Sequence, residues 1–224
     1  MSQAKVAVVA GAGGALGHAT TAALAASGFA VVAVDRSGDA MSDLRDIVHK
    51  EAADPGAVTR LIDRIAAEVG PPGVLVNTVG AFRLGDALAT TPEMLRLMLD
   101  VNLGPALWLS QAVAPHMRQQ GSGAIVHVTA RPGLEPASGM AAYSVSKAAL
   151  VHLTRTLDLE LRPYGIRVNA VAPQLIDTAS NRASFPADVI AHAVAPEAIA
   201  GVIAFLVSGA AAPVSGAILP VYGA

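Results

Sequence analysis

The chain has 224 residues, of which 53% are hydrophobic and 14% charged, with a formal net charge of -2 and no cysteine. That much apolar material supports a large core and argues against disorder, while the missing cysteines exclude disulfides, thiol nucleophiles and thiolate metal sites. No Lys/Arg run addresses nucleic acid or an anionic membrane, no apolar stretch nears the roughly 18 residues of a bilayer span, and the apolar run at 6–10 breaks into glycines, so a cytoplasmic protein is expected.

In chain order, residues 6–10 predict a strand, 14–27 a helix and 30–34 a second strand ending at Asp35. A helix over 55–69 and a strand over 74–77 follow. Residues 92–119 predict a long helical stretch, open to interruption at Pro105 and Pro115. Next come a strand at 124–129, a helix at 141–161, a strand at 167–171, a helix at 197–207 and a last strand at 217–221. Strands without polar alternation, each separated by a helix, predict a parallel sheet covered on both faces. The expected fold class is α/β: a single-domain Rossmann-type doubly wound parallel sheet with helices on both faces, spanning residues 1–224. The six histidines never fall at metal-ligand spacing, so no metal is expected.

The first strand runs into Gly11-Ala12-Gly13-Gly14-Ala15-Leu16-Gly17 before a helix opens. Glycines let the backbone turn tightly against a pyrophosphate, and the helix N-terminus offers unpaired N–H groups to the anion. The plainer alternative is a Gly-rich turn that binds nothing; the strand–loop–helix context weighs against it. Asp35 ends the second strand about 20 residues after the loop, where a carboxylate accepts hydrogen bonds from the adenosine ribose hydroxyls. It repels a 2′-phosphate and so favours NAD(H). Arg36 can pair with that phosphate and keeps NADP(H) open. A simple strand-to-loop cap is the alternative role for Asp35.

Tyr143 and Lys147 stand four residues apart in Tyr143-Ser144-Val145-Ser146-Lys147, on one face of the predicted helix. A phenol titrates near ~10. A fixed ammonium at about 5 Å, in an effective dielectric of ~20, favours the phenolate by ~3 kcal/mol, roughly two pKa units. The pair is therefore a candidate tuned proton donor. An isolated match of this kind is more often a half-buried ring beside a solvated cation, and its place behind a dinucleotide-binding start lifts it above that.

Together these residues resemble the short-chain dehydrogenase/reductase family, in order and along the whole chain. The resemblance implies that Gly11, Gly13, Gly14, Ala15, Leu16 and Gly17 hold the cofactor's phosphates, that Asp35 and Arg36 meet its adenosine ribose, and that Asp54 meets its adenine. Asn77, Val79 and Gly80 match the family's turn after the fourth strand. Asn102 matches the active-site Asn that holds a proton-relay water beside the Lys. Tyr143 and Lys147 match the catalytic pair and also touch the cofactor. Pro173, Ile176 and Thr178 match the stretch against the nicotinamide carboxamide, and Gly216 the glycine before the last strand.

Three positions depart from the family pattern. Ala15 stands at the loop's usual middle glycine, Gln174 replaces the glycine after Pro173, and Ala130 occupies the position of the catalytic Ser, thirteen residues before the Tyr. Thr129 has a hydroxyl, but adjacent strand residues face opposite sides. Losing one donor to a developing oxyanion costs ~10²–10³ in rate, which a ketone feels fully and a conjugated acceptor less. With Ala at that position, the stretches 14–17 and 173–186 are also similar to dihydropteridine reductase. The expected activity is NAD(P)H-dependent reduction of a small organic C=O or conjugated C=N/quinonoid substrate through Tyr143, Lys147 and Asn102. The alternatives are a ketone or alcohol enzyme with another donor, such as Ser138 or a substrate hydroxyl, and a catalytically silent NAD-binding regulatory protein. Relatives pair the helices around 102–119 and 141–161. Leu103, Leu107, Trp108, Val151 and Leu157 exceed what one core face needs, so a homodimer or homotetramer is expected. A small molecule is the expected substrate, and neither nucleic acid nor a membrane is an expected partner.

Overall fold

The computed structural model describes residues 4–35 and 54–223. Its first strand, β1 (Val6–Ala10), is buried throughout and sends side chains alternately to two faces. Val6, Val8 and Ala10 join an apolar cluster with Val58, Ile62, Leu109, Val113 and Leu157. Ala7 and Val9 join another with Leu16, Leu24, Ile199, Ile203 and Leu206. Two cores on opposite faces of one strand mean that helices cover the sheet from both sides, as the unbroken apolar strands predict.

The other strands are β2 (Ala30–Val34), β3 (Pro72–Asn77), β4 (Gly123–Val128), β5 (Ile166–Pro173) and β6 (Ile218–Val221). They form one sheet in the order β2-β1-β3-β4-β5-β6, and every pair is parallel. Parallel neighbours need crossovers. Helix α1 (Ala15–Ala26) carries the chain from β1 to β2, and α2 (Pro55–Glu68) precedes β3. Helices α3 (Pro92–Asn102) and α4 (Gly104–Gln120) lie between β3 and β4, and α5 (Ala141–Leu161) between β4 and β5. Helices α6 (Ala179–Ser184), α7 (Ala187–Ile190) and α8 (Pro196–Val207) lead to β6. After β2 the chain returns to the other side of β1, so strand order reverses between β1 and β3. That reversal opens a crevice at their carboxyl ends, where Ala10 lies level with Val34 and Asn77.

Several element ends follow from local chemistry. Asp54 caps α2 by accepting from Gly56 N, and Thr91 caps α3 by accepting from Met94 N, each with a proline at the start of the helix. The helical stretch does break at Pro105: without its N–H, the Val101 carbonyl lacks a helical partner and the chain resets at Leu103. Pro115 does not interrupt α4, contrary to the sequence expectation. Pro115 and Gln111 are both exposed, so water can take the bond that the Gln111 carbonyl loses. Strands β3 and β5 run longer than predicted, reaching Pro72 and Pro173 at their ends, positions where a missing donor is tolerated. Helices α6 and α7 were not expected, since they are short and their polar, proline-flanked sequences carry no apolar period. Val151 and Leu157, expected as surplus apolar surface, are each only 7% exposed and belong to the chain's own core. The apolar residues α5 leaves in the open are Val145 and Leu159. Among the described residues, no helix is long and apolar enough to cross a membrane.

Candidate active site

The crevice at the strand-order reversal has a volume of about 450 Å³, and Gly11, Gly14, Asp35, Thr78, Val79 and Gly80 line it. On one side stands the start of α1. Gly14 caps it without a side-chain bond, and its first turn carries no acidic residue. The helix's first closing bond runs from His18 N to Gly14 O at 2.8 Å, which leaves the N–H groups of residues 15–17 without intrahelical partners. Close packing requires glycine on both sides of the loop. A Cβ at Gly11, whose φ is +80°, would lie 2.6 Å from Thr78 Oγ1, and one at Gly17 would lie 2.1 Å from Gly11 O. Asp35 Oδ2 accepts from Gly13 N at 2.7 Å, so the carboxylate and the glycine loop share one wall. Leu16 points into the core and offers only its backbone, while Ala15 is exposed. A cradle with glycine at 11, 13, 14 and 17, free helix N–H groups and a carboxylate at the strand end fit a dinucleotide.

Other expected cofactor residues fall differently. Asn77 is buried beneath the crevice, where Oδ1 accepts from Val79 N at 3.2 Å and orders the turn. Asp54 is the exposed cap of α2, 3.8 Å from Arg60, and is not on the crevice wall. Arg36 lies outside the described residues. Thr78 was not singled out from the sequence. Its hydroxyl donates to Ala10 O at 2.8 Å and ties the end of β3 to β1. The signal for it was a hydroxyl inside the turn that ends in Gly80.

A second cavity of about 310 Å³ has Tyr143, Ala130, Pro173, Gln174 and Ile176 on its wall. Phe82, Met140, Leu175, Phe185 and Val189 make most of the remainder apolar. The Phe82 ring stands edge-on to Tyr143, with centroids 4.9 Å apart, and lies 6.2 Å from Phe185. Thr178 caps α6 by accepting from Asn181 N at 3.1 Å and is not on this wall.

Behind Tyr143, Lys147 and Asn102 are buried and hydrogen-bonded. Lys147 Nζ donates to Val128 O at 3.0 Å and lies 5.9 Å from the Tyr143 ring centre. Asn102 Nδ2 donates to Ala81 O and to Ser146 Oγ, both at 3.0 Å, while its Oδ1 accepts from Ala81 N at 3.0 Å. The Asn102 side chain is thus a clamp joining the α3–α4 break to the Ala81 loop and to α5. Gly80 makes this fit possible, since a Cβ there would lie 2.9 Å from Asn102 Oδ1 and 3.1 Å from Lys147 Nζ.

Burial dominates the proton affinities. Desolvation pushes the Tyr143 phenol up to about 12 and the Lys147 ammonium down to about 8. The expected lowering of the phenol by the ammonium is therefore corrected for this form of the protein. The apolar surroundings penalise the phenolate more than a lysine with reduced affinity for its own proton can repay. His127, buried in β4, is lowered to about 4 by desolvation first and by Lys147 second. Ser110 Oγ gives its proton to Ala106 O at 2.7 Å and faces His127 Nε2 at 3.4 Å, so that nitrogen is the donor. His127 Nδ1 and Asn77 Nδ2, at opposed positions on β4 and β3, have no hydrogen-bond partner.

Among the described residues, neither Thr129 nor Ser138 takes the serine's place at Ala130. Thr129 Oγ1 donates to Lys147 O at 3.0 Å, and Ser138 is exposed and off the cavity wall.

A doubly wound sheet with a glycine-loop crevice, opening beside a buried Tyr–Lys pair, defines a nucleotide-dependent oxidoreductase. The family model described as short chain dehydrogenase matches residues 5–189, and the chain belongs to that family. The family works with NAD(H) or NADP(H). The chain is 39% identical to galactitol 2-dehydrogenase from Rhizobium johnstonii, over 96% of this chain and 92% of that protein. It is 37% identical to cis-4-hydroxycyclohexanecarboxylate dehydrogenase from Sinomonas cyclohexanicum, over 98% and 95% respectively. Among solved structures, it is similar to a short-chain dehydrogenase/reductase from Burkholderia xenovorans, with a TM-score of 0.92, 29% identity and coverage of 99% of this chain and 96% of that one. Two of these relatives are named as dehydrogenases of hydroxyl-bearing compounds, and none of the three is named as a pteridine reductase.

Proposed function

We propose that the chain is an NAD(H)-preferring enzyme that interconverts a small, largely apolar ketone and its alcohol. The observation that carries this is the placement of Tyr143 on an apolar cavity, backed by the buried Lys147 and beside the glycine crevice. When bound, the nicotinamide supplies a hydride to the substrate carbon or takes one from it. Tyr143 Oη gives its proton to the substrate oxygen in reduction and recovers it in oxidation. A phenol held near 12 is protonated at neutral pH, the form needed for reduction. Lys147 supplies positive charge behind it and holds the cofactor's nicotinamide ribose. Asn102 positions the Ala81 loop and α5, leaving any relay water to its backbone carbonyl. Phe82 and Phe185 keep bulk water from the reacting oxygen. The relatives named for a sugar alcohol and a hydroxycyclohexanecarboxylate support a secondary alcohol or ketone.

One observation favours a second reading. With Ala130 and no substitute hydroxyl among the described residues, a conjugated C=N or quinonoid acceptor would need less help at its oxygen or nitrogen. NADH oxidation measured against simple ketones, diketones and quinonoid dihydropterin separates the two. Turnover of ketones supports the first, turnover of the pterin alone the second, and turnover of neither with intact NADH binding would point to a silent regulatory protein.

Asp35 sets the cofactor preference in this reading. NADH should bind at least tenfold more tightly than NADPH, about 1.4 kcal/mol or more. Fluorescence titration of both checks it, and equal affinities would show that Arg36 compensates. We further propose a cytoplasmic homo-oligomer of one catalytic domain per chain, assembled through α4 and α5.

A further inference from the structure

The wall of the substrate cavity has few polar side chains, and most are already engaged. Thr129 donates to Lys147 O at 3.0 Å, and Asn181 Nδ2 donates to Ile176 O at 2.8 Å. Tyr143 carries the proton for the reacting oxygen. Gln174 remains. Its Oε1 accepts from Arg131 Nη1 at 3.0 Å. A guanidinium can only donate, so the orientation of the amide is forced: oxygen toward Arg131, Nε2 away from it. Arg131 is itself held in place. Its Nε donates to Glu135 Oε2 at 2.8 Å, and the guanidinium carbon lies 5.0 Å from the centre of the Tyr222 ring. The pairing of β4 with β5, which sets Val128 opposite Val171, brings residues 131 and 174 level beyond the strand ends. Among the described residues, nothing accepts from Gln174 Nε2. Gln174 is exposed, and an amide whose oxygen is anchored and whose two N–H bonds meet no acceptor among the described residues, on the wall of a largely apolar cavity, can serve as a recognition element.

We infer that Gln174 Nε2 binds an oxygen of the substrate other than the one Tyr143 protonates. The substrate class is then a small carbonyl compound or alcohol with a second oxygen function, such as a dicarbonyl, a hydroxy ketone or a diol. This rests on the proposed ketone and alcohol chemistry. Arg131 is a positioning residue, because without its contact the amide can turn and present its oxygen instead.

The test compares cyclohexane-1,2-dione with cyclohexanone as substrates and trans-cyclohexane-1,2-diol with cyclohexanol as ligands of the enzyme–NAD+ complex by calorimetry. Gln174→Leu should lower the dione-to-ketone ratio of kcat/KM, and the diol-to-alcohol ratio of affinities, by about tenfold, with the change in KM rather than kcat. Gln174→Glu keeps the Arg131 contact but replaces the donor with an acceptor; it should lose the dione-to-ketone ratio as fully and spare the diol-to-alcohol ratio, because a hydroxyl, unlike a carbonyl, can donate to the carboxylate. Arg131→Met should lower both ratios by about threefold. Ratios unchanged in Gln174→Leu, a dione-to-ketone ratio unchanged in Gln174→Glu, or equal losses on both compounds of each pair in Gln174→Leu, would overturn the inference. Turnover with unchanged ratios would leave the proposed chemistry standing without it. A Gln174-dependent preference in binding, with no turnover of either ketone, would keep the inference and remove the proposed chemistry.

Discussion

At Tyr143 two effects oppose each other. The nearby ammonium favours the phenolate, and burial under Phe82 favours the phenol; in this form burial prevails, with the phenol near 12 and Lys147 near 8. Tyr143→Phe removes the hydroxyl proposed to protonate the substrate oxygen. It should leave NADH binding nearly intact and lower turnover by at least ~10². Stopped-flow rates beside a fluorescence titration check it, and near-normal turnover would mean that another group donates the proton. Ala130→Ser restores a hydroxyl beside that phenol. For a plain ketone it should raise turnover, up to ~10² if the new side chain is well aimed. Unchanged rates would show that a donor already fills the role. The residues readable beforehand were those whose signal is local: the glycine loop, Asp35, and the Tyr143–Lys147 spacing. The direction in which Tyr143 shifts was not readable, because it depends on Phe82, which lies 61 positions away in the chain. Nor was the orientation of Gln174, which depends on the far-off Arg131.

The strands show what can be read at the scale of elements. All six strands, and α1, α2, α5 and α8, were legible because parallel strands covered by helices read as short apolar runs, even at the half-buried edge strand β6. Pro115 was misread because a proline's cost depends on whether water can reach the carbonyl it orphans, and sequence alone does not report exposure. The pair α6 and α7 was missed because short helices held by caps lack an apolar period. Strand β4 also carries a titration that its apolar sequence hides. His127 is buried and lowered to about 4, whereas it titrates near 6.5 in the unfolded chain. Below about 6.5 the unfolded chain binds a proton that the folded one refuses, so this site's stability is present above that pH and lost as pH falls toward about 4. His127→Gln removes the titration. Between pH 7 and pH 4.5 the parent should lose roughly 2 kcal/mol more stability than the variant, because pH 4.5 lies about two units below the unfolded value and still above the folded one. Urea melts at both values measure it, and parallel losses would mean that His127 gains its proton without cost.

At the scale of the whole molecule, α5 leaves Val145 53% exposed and Leu159 71% exposed. Ala148, His152 and Arg155 are also exposed and lie between them at alternating three- and four-residue steps, so the five form one stripe along the helix. Beside it, Leu103, Leu107 and Trp108 on and before α4 are only half-buried. A bare Leu and Val on a helix whose other face is core would be covered by the same stripe of a second copy, since a two-fold axis brings identical surfaces together. Fully burying such a side chain is worth about 1.5–3 kcal/mol, and a two-fold contact counts each one twice. Sedimentation velocity at micromolar concentration should therefore show a dimer or tetramer. Leu159→Glu puts like charges on both sides of the axis and removes the apolar burial. It should weaken association by at least ~3 kcal/mol, about a hundredfold in Kd, and release smaller species. The substitution sits near the end of α5 remote from Tyr143, on a side chain that is already in solvent, so the fold of each chain should persist, as a thermal melt would show. A parent that sediments as a monomer, or a variant that assembles as tightly as the parent, would place the interface elsewhere.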